Sequence, residues 1–267
     1  MAPSYLALIL ILGVGPRTQT QPPQQPADAA TVQVPERPGL PPAQASAAEL
    51  IDTADRLREQ KAYLDSLDYY RLALKKGGQS ADLHNKMGIA YLQLSKHDNA
   101  KKEFERATRL DQNLPEPWNN LGVVHYIRKS YKRAIKYYMQ ALELRSESAS
   151  FHSNLGTAYF ARKEYDQAAR EYLRALELDP DIFERRTSAG VQAHLASPED
   201  RAYYDYMLAR MFARQGNLDR CLQYLRKAME EGYAKIDAVY KDEEFANVRK
   251  DPRFAKLMAQ RPQPIPD

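Results

Sequence analysis

Between Ala81 and Ile182 the small and apolar positions recur with a period of 34 residues, and Gly88, Gly122 and Gly156 are the only glycines in that stretch. Twelve residues after each glycine comes an alanine (Ala100, Ala134, Ala168), and four further on an aromatic ring (Phe104, Tyr138, Tyr172). Three beyond the ring stands another alanine: Ala107, Ala141, Ala175. Steps of three and four keep these side chains on one helical face. Each glycine also closes a short cluster: His84-x-x-Met87-Gly88, Trp118-x-x-Leu121-Gly122, His152-x-x-Leu155-Gly156. The pattern predicts two antiparallel helices per unit. Glycine at the eighth place and alanine at the twentieth are expected to face each other where the helices cross, letting the axes approach to roughly 8–10 Å. The aromatic at the twenty-fourth place is expected to fill the gap to the next unit. One helix pair cannot bury its apolar stripe alone, so the units must stack.

These residues carry a resemblance. Trp118, Leu121 and Gly122, followed by Ala134, Tyr138 and, in the last unit, Pro180, resemble the tetratricopeptide repeat, a helix–turn–helix unit with W-x-x-L-G-x-x-Y, then A-x-x-x-F, then P. Tyr91 and Tyr159 fill the tyrosine place, which His125 takes in the Trp118 unit. The resemblance implies an all-α solenoid, of a type similar to exported bacterial repeat proteins.

The rest of the chain is read around that array. The units span 47–80, 81–114, 115–148 and 149–182. The first is degraded, with Ala54, Leu57, Ser66, Tyr70 and Ala73 at the pattern places, as suits a cap, and Gly77-Gly78 ends its second helix. The register breaks over 183–201. Ser197-Pro198-Glu199-Asp200 starts a new helix. A fifth, repeat-like hairpin follows at 202–235, with Ala209, Phe212, Cys221, Leu225 and Ala228 in register and Gly216-Asn217 as its turn. Residues 236–267 carry short-helical anchors, Val239, Phe245, Val248, Phe254 and Leu257, expected to cover the open end of the solenoid.

At the other end, Tyr5–Val14 is an unbroken apolar or small run, too short to span a membrane, and reads as the core of a signal peptide within 1–16. Residues 17–46 hold seven prolines and six glutamines with no aromatic, and read as a disordered linker. Together these predict an exported protein, periplasmic or tethered to the membrane through its N-terminus, with a cytoplasmic location as the alternative.

Composition adds exclusions. The formal charge is +4, with Lys and Arg interleaved among Asp and Glu, so there is no basic stripe for nucleic acid. Lys132, Arg133 and Lys136 read as a solvated outer face. Cys221 is the only cysteine, which rules out an intramolecular disulfide and a thiolate metal cluster. His84 and His152 occupy the tryptophan place, and His125 the tyrosine place, so they are packing residues. No catalytic, cofactor or metal motif is present.

What remains is a surface. The resemblance implies a concave face lined by the first helix of each unit, at its second, fifth, sixth, ninth, twelfth and thirteenth places. The second unit contributes Asn85, Lys86, Ile89, Leu92 and Gln93; the third Asn119, Asn120, Val123, Tyr126 and Ile127; the fourth Ser153, Asn154, Thr157 and Phe160. A carboxamide both donates and accepts, so a ladder of asparagines suits a peptide backbone, with aromatics beside it for apolar contact. Lys86 is the only basic residue among these, which disfavours a carboxylate clamp. The reading is a non-enzymatic scaffold or adaptor that binds an extended peptide or helix of a partner protein. Two alternatives stay open: an accessory subunit or enzyme that uses 181–196, and a self-associating structural array.

Overall fold

The computed structural model describes residues 44–183 and 198–262. All lie in the compact unit Leu40–Asp267. The signal-peptide-like segment, the linker up to residue 43 and the insertion over 184–197 lie outside the described residues. Within them the regular elements are helical. Four helix pairs follow one another: α1 (Ala47–Glu59) with α2 (Tyr63–Lys75), α3 (Ala81–Gln93) with α4 (His97–Leu110), α5 (Pro115–Ile127) with α6 (Tyr131–Leu144), and α7 (Ala149–Ala161) with α8 (Tyr165–Leu178). A fifth pair is α9 (Pro198–Arg214) with α10 (Leu218–Glu230). Three 3-10 turns, Ile236–Tyr240, Glu243–Phe245 and Val248–Lys250, lead to α11 (Pro252–Ala259). The first helix of a pair is called its A helix, the second its B helix. α9 starts at Pro198, four residues before the hairpin boundary read from the sequence.

Local chemistry sets the helix ends. α1 opens on a capping box: Glu49 N–H donates to the Ser46 hydroxyl, and Ser46 N–H donates to the Glu49 carboxylate. Ser80 caps α3 through Leu83 N–H, and Pro115 sits in the first turn of α5. The first four A helices all stop in the same way. Lys61, Ser95, Lys129 and Lys163 take φ of 57–64°, in the left-handed region. The next amide then reaches back to the carbonyl five residues earlier, as Ser130 N–H does to His125 at 2.9 Å. Only the fifth hairpin places a glycine, Gly216, at this position. The 34-residue period is thus also a period of one backbone conformation.

The crossing of the two helices differs in detail from the expectation. A Cβ on Gly122 would lie 2.5 Å from the ring of Tyr138, and one on Gly88 2.4 Å from the ring of Phe104. Gly156 stands against Tyr172 in the same way, at 2.7 Å. The eighth place therefore receives the ring of the twenty-fourth place of its own unit, rather than the alanine of the twentieth. The rings are large and the alanines small, so the ring fixes how close the A helix can come. Phe104, Tyr138 and Tyr172 are fully buried, as are Ala100, Ala134 and Ala168.

The stack continues into the fifth pair through aromatic contacts. Tyr204 meets Phe160 at 5.6 Å and Tyr172 at 5.5 Å, while Tyr203 meets Tyr165 at 4.6 Å. The C-terminal turns then fold onto α9. Tyr206 donates to Asp242 at 2.7 Å, Arg210 to Glu244 at 2.6 Å, and Phe245 is fully buried against the Tyr206 ring. Arg249 donates to the carbonyls of Val239 and Asp242 and holds this irregular segment in shape.

Candidate functional site

The A helices of the first four pairs lie side by side, and their facing residues join into one connected layer. Asn154 donates its amide to Asn119 at 2.9 Å, and Asn120 donates to Asn85 at 2.9 Å. A longer contact of 3.4 Å runs from Asn119 to Asn120 and completes the chain. The expected ladder of amides therefore exists, but its members bond to one another. Asn85, Asn119 and Asn154 are buried, with Asn154 fully so. Asn119 is bonded through both its oxygen and its nitrogen, and buried amides bonded to one another have little left to offer a peptide backbone. The reading of these three as groove contacts is corrected: they are a polar spine that fixes the register of successive A helices.

Four further predicted lining residues are also buried. Val123 and Thr157 lie under the surface, Thr157 donating to the Ser153 carbonyl at 2.9 Å. Tyr126 packs on Tyr131, and Phe160 on Tyr165, Tyr203 and Tyr204. These two rings fill the space between A and B helices and between successive pairs, so they are core and not anchors for a partner. Lys86, Ile89, Asn120 and Ser153 keep partial exposure, together with Leu92, and Gln93 and Ile127 are exposed.

Lys86 is held between two carboxylates, Asp55 at 2.7 Å and Asp82 at 3.0 Å. Burial pulls its pKa down, but the two carboxylates outweigh burial and the net direction is upward. The ammonium is matched by these two carboxylates. Asp55 comes from the degraded first unit, where no lining residues were expected. It occupies the ninth place, as Ile89, Val123 and Thr157 do, and the same place count would have found it.

Two further regularities link A to B helices. At the ninth and twenty-fourth places, Asp55 accepts from Tyr70 at 2.5 Å and Thr157 accepts from Tyr172 at 3.1 Å. At the fourth and twenty-third places, His84 pairs with Glu103 and His152 with Glu171, each at 2.7 Å, and Trp118 stacks on Tyr137. His125 also stacks on Tyr137, at 5.1 Å. Burial first, then Arg133, Lys101 and Arg128, push its pKa down, so it is a neutral ring in the core. His84 and His152 are thus pairing residues, and His125 is a packing residue.

Among the described residues no group of three His, Cys, Asp or Glu side chains has the geometry to hold a metal ion. Cys221 is buried, and burial pushes its thiol up to about 12. Among the described residues no helix is long and apolar enough to cross a membrane.

No curated protein sequence matches the chain. Among solved structures, PilF of Pseudomonas aeruginosa superposes with a TM-score of 0.53 at 17% identity, over 80% of this chain and 97% of that one. MamA of Desulfovibrio magneticus, from residue 41 to its end, gives 0.50 at 19% identity, over 69% and 94%. YrrB, described as a tetratricopeptide-repeat protein with an unusual peptide-binding site, gives 0.47 at 21% identity, over 77% and 92%. Tetratricopeptide-repeat models match residues 81–114 and 113–181, the stretch in which the 34-residue period was read. Residues 81–181 of the chain are tetratricopeptide repeats.

Proposed function

We propose that the chain is a non-enzymatic protein-interaction scaffold that takes up a segment of a partner polypeptide along its A-helix face. The observation that carries this reading is the combination of a rigid base with an accessible aliphatic top. The asparagine spine and the buried rings hold the A helices in one arrangement, which keeps the backbone ordering cost of binding low. On these helices Ile89 and Leu92 pack on the core with part of their surface exposed, Ile127 is 42% exposed, and Gln93 and Asn120 add an exposed and a partly exposed amide. An aliphatic stripe with amide neighbours suits an extended or helical segment that offers apolar side chains and backbone polar groups. We also propose export through residues 1–16, resting on the apolar run Tyr5–Val14 alone.

The reading is tested by placing a photo-crosslinking residue at Ile89 or Ile127, and at Met139 or Leu110 as controls, in the full chain in its native cell. Met139 and Leu110 are exposed apolar residues of the B helices α6 and α4. A shared partner band from the two A-helix positions only, abolished by Ile127→Glu with helicity unchanged, is the expected outcome. Equal bands from Met139 or Leu110 would move the site off this face.

A further inference from the structure

The ring of His152 stands between two groups that can only accept. Its Nδ1 lies 2.7 Å from the Glu171 carboxylate, and its Nε2 lies 3.0 Å from the Ser146 carbonyl. A neutral imidazole carries one N–H and one lone pair. In this position one lone pair would therefore face an oxygen. Only the doubly protonated ring donates to both.

The same place in the preceding unit shows what the second bond does. Trp118 Nε1 donates at 3.0 Å to the carbonyl of Gln112, six residues earlier, as His152 does to Ser146. Both carbonyls belong to the link between one helix pair and the next. In the third unit the link is held by an indole N–H, which does not titrate. In the fourth it is held by an imidazole N–H, which does. His84 is a third case: its described bond is the one from Nδ1 to Glu103, which a neutral ring satisfies as donor.

We propose that His152 is a proton-dependent staple that ties the link between the third and fourth units to α7 and α8. With the proton on, the Ser146 carbonyl and the Glu171 carboxylate are both bonded, and the fourth unit is locked to the third. When the proton leaves, one of the two bonds turns into a lone-pair contact and the link is released.

The surroundings favour the charged ring. Burial pushes its pKa down, but the Glu171 carboxylate and the Ser146 carbonyl outweigh burial, and the net direction is upward. The Arg174 guanidinium, also on α8, opposes them more weakly and is itself paired with Glu177. The sign follows. The folded-state pKa lies above the ordinary 6.5, so the stabilisation is complete below 6.5 and is lost as pH rises through the folded value.

The test is an NMR titration of the full chain, reading the ring nitrogens of His152 and the amide exchange of residues 146–152 between pH 5.5 and 8.5. The expected result is a doubly protonated ring at pH 6 and a midpoint above 6.5. After correction for intrinsic rates, the protection of these amides should fall by about tenfold or more across that midpoint. The amides around Gln112 and Trp118 should keep theirs. In Glu171→Gln the midpoint should drop, and in His152→Trp the local protection should become independent of pH. A ring that carries a single proton at pH 6, or link amides whose protection does not follow the His152 titration, would overturn the proposal. The wild-type titration decides this even where a variant fails to fold.

Discussion

The ring at the twenty-fourth place lies beneath the ninth place of its own unit, and its substituent has to suit what stands there. Tyr70 donates to Asp55 and Tyr172 donates to Thr157. Phe104, which has no hydroxyl, lies in the unit where the ninth place is Ile89. Tyr138 breaks the rule. Its ninth place is Val123, and its hydroxyl is fully buried with no hydrogen-bond partner among the described residues. Burial holds its pKa well above the usual phenol range, so the proton stays on and the donor stays unused. An unpaired buried hydroxyl costs about 1–3 kcal/mol.

Tyr138→Phe removes that hydroxyl without opening a large cavity. It should stabilise the array by about 1–2 kcal/mol, or a rise in Tm of about 2–6 °C for a domain of this size. Val123→Thr should help by the opposite route, supplying the acceptor that Thr157 supplies to Tyr172. The two changes should not add. With Phe at 138 the new threonine hydroxyl has no donor facing it, and the cycle should show a coupling of about 0.5–1.5 kcal/mol. Tyr172→Phe is the control: it deletes a bond that exists and should destabilise by about 1 kcal/mol. Urea and thermal unfolding of the wild type and these four variants measure all of this. If Tyr138→Phe and Tyr172→Phe shift stability in the same direction, the place-nine rule is wrong.

Three more predictions follow from the same structure. Gly88→Ala puts a methyl 2.4 Å from the fully buried Phe104 ring and should destabilise by about 1–3 kcal/mol despite alanine's better helix propensity, seen as a lower urea midpoint. Lys129→Gly relieves a left-handed residue at φ 57° and should raise Tm slightly, whereas Lys132→Gly, one turn later inside α6, should lower it. Burial, with Glu231 adding to it and Lys227 opposing, raises the Asp205 carboxyl to about 7, so stability should decline as pH rises from about 4 to 7; Asp205→Asn should flatten that slope and raise Tm at pH 8 but not at pH 4.

The fold was legible because the pattern residues are those with no freedom. Gly88, Gly122 and Gly156 cannot grow without striking a ring, and Ala100, Ala134 and Ala168 are fully buried. A period of 34 in such positions has one structural meaning. The site was less legible, for a physical reason. Place counting tells which way a residue points from its helix, but not what its neighbour from the next unit does. Asn119 and Asn154 point where they were expected to point, and 35 residues along the chain each finds a partner that removes it from the surface. Tyr126 and Phe160 are lost to the core because Tyr131, Tyr165, Tyr203 and Tyr204 close over them, and the last two belong to a hairpin that follows a break in register. An asparagine ladder in sequence therefore reads equally as a binding strip or as a spine, and only the distance between amides of neighbouring units tells the two apart.

That distinction changes what substitution on this face measures. Replacing Asn119 or Asn154 by alanine removes the buried bond between them, which costs about 1–3 kcal/mol and loosens two units at once. Partner capture would fall with it, but through lost register and not lost contact. The two causes separate by position. Ile127→Glu changes the exposed top and leaves the spine intact, so it should abolish capture at unchanged Tm. Asn154→Ala should lower Tm first, and capture should return when the assay is run well below the new Tm. If Asn154→Ala abolishes capture at a temperature where the array is fully folded, the spine amides contact the partner directly and the mutual bonds between them open on binding.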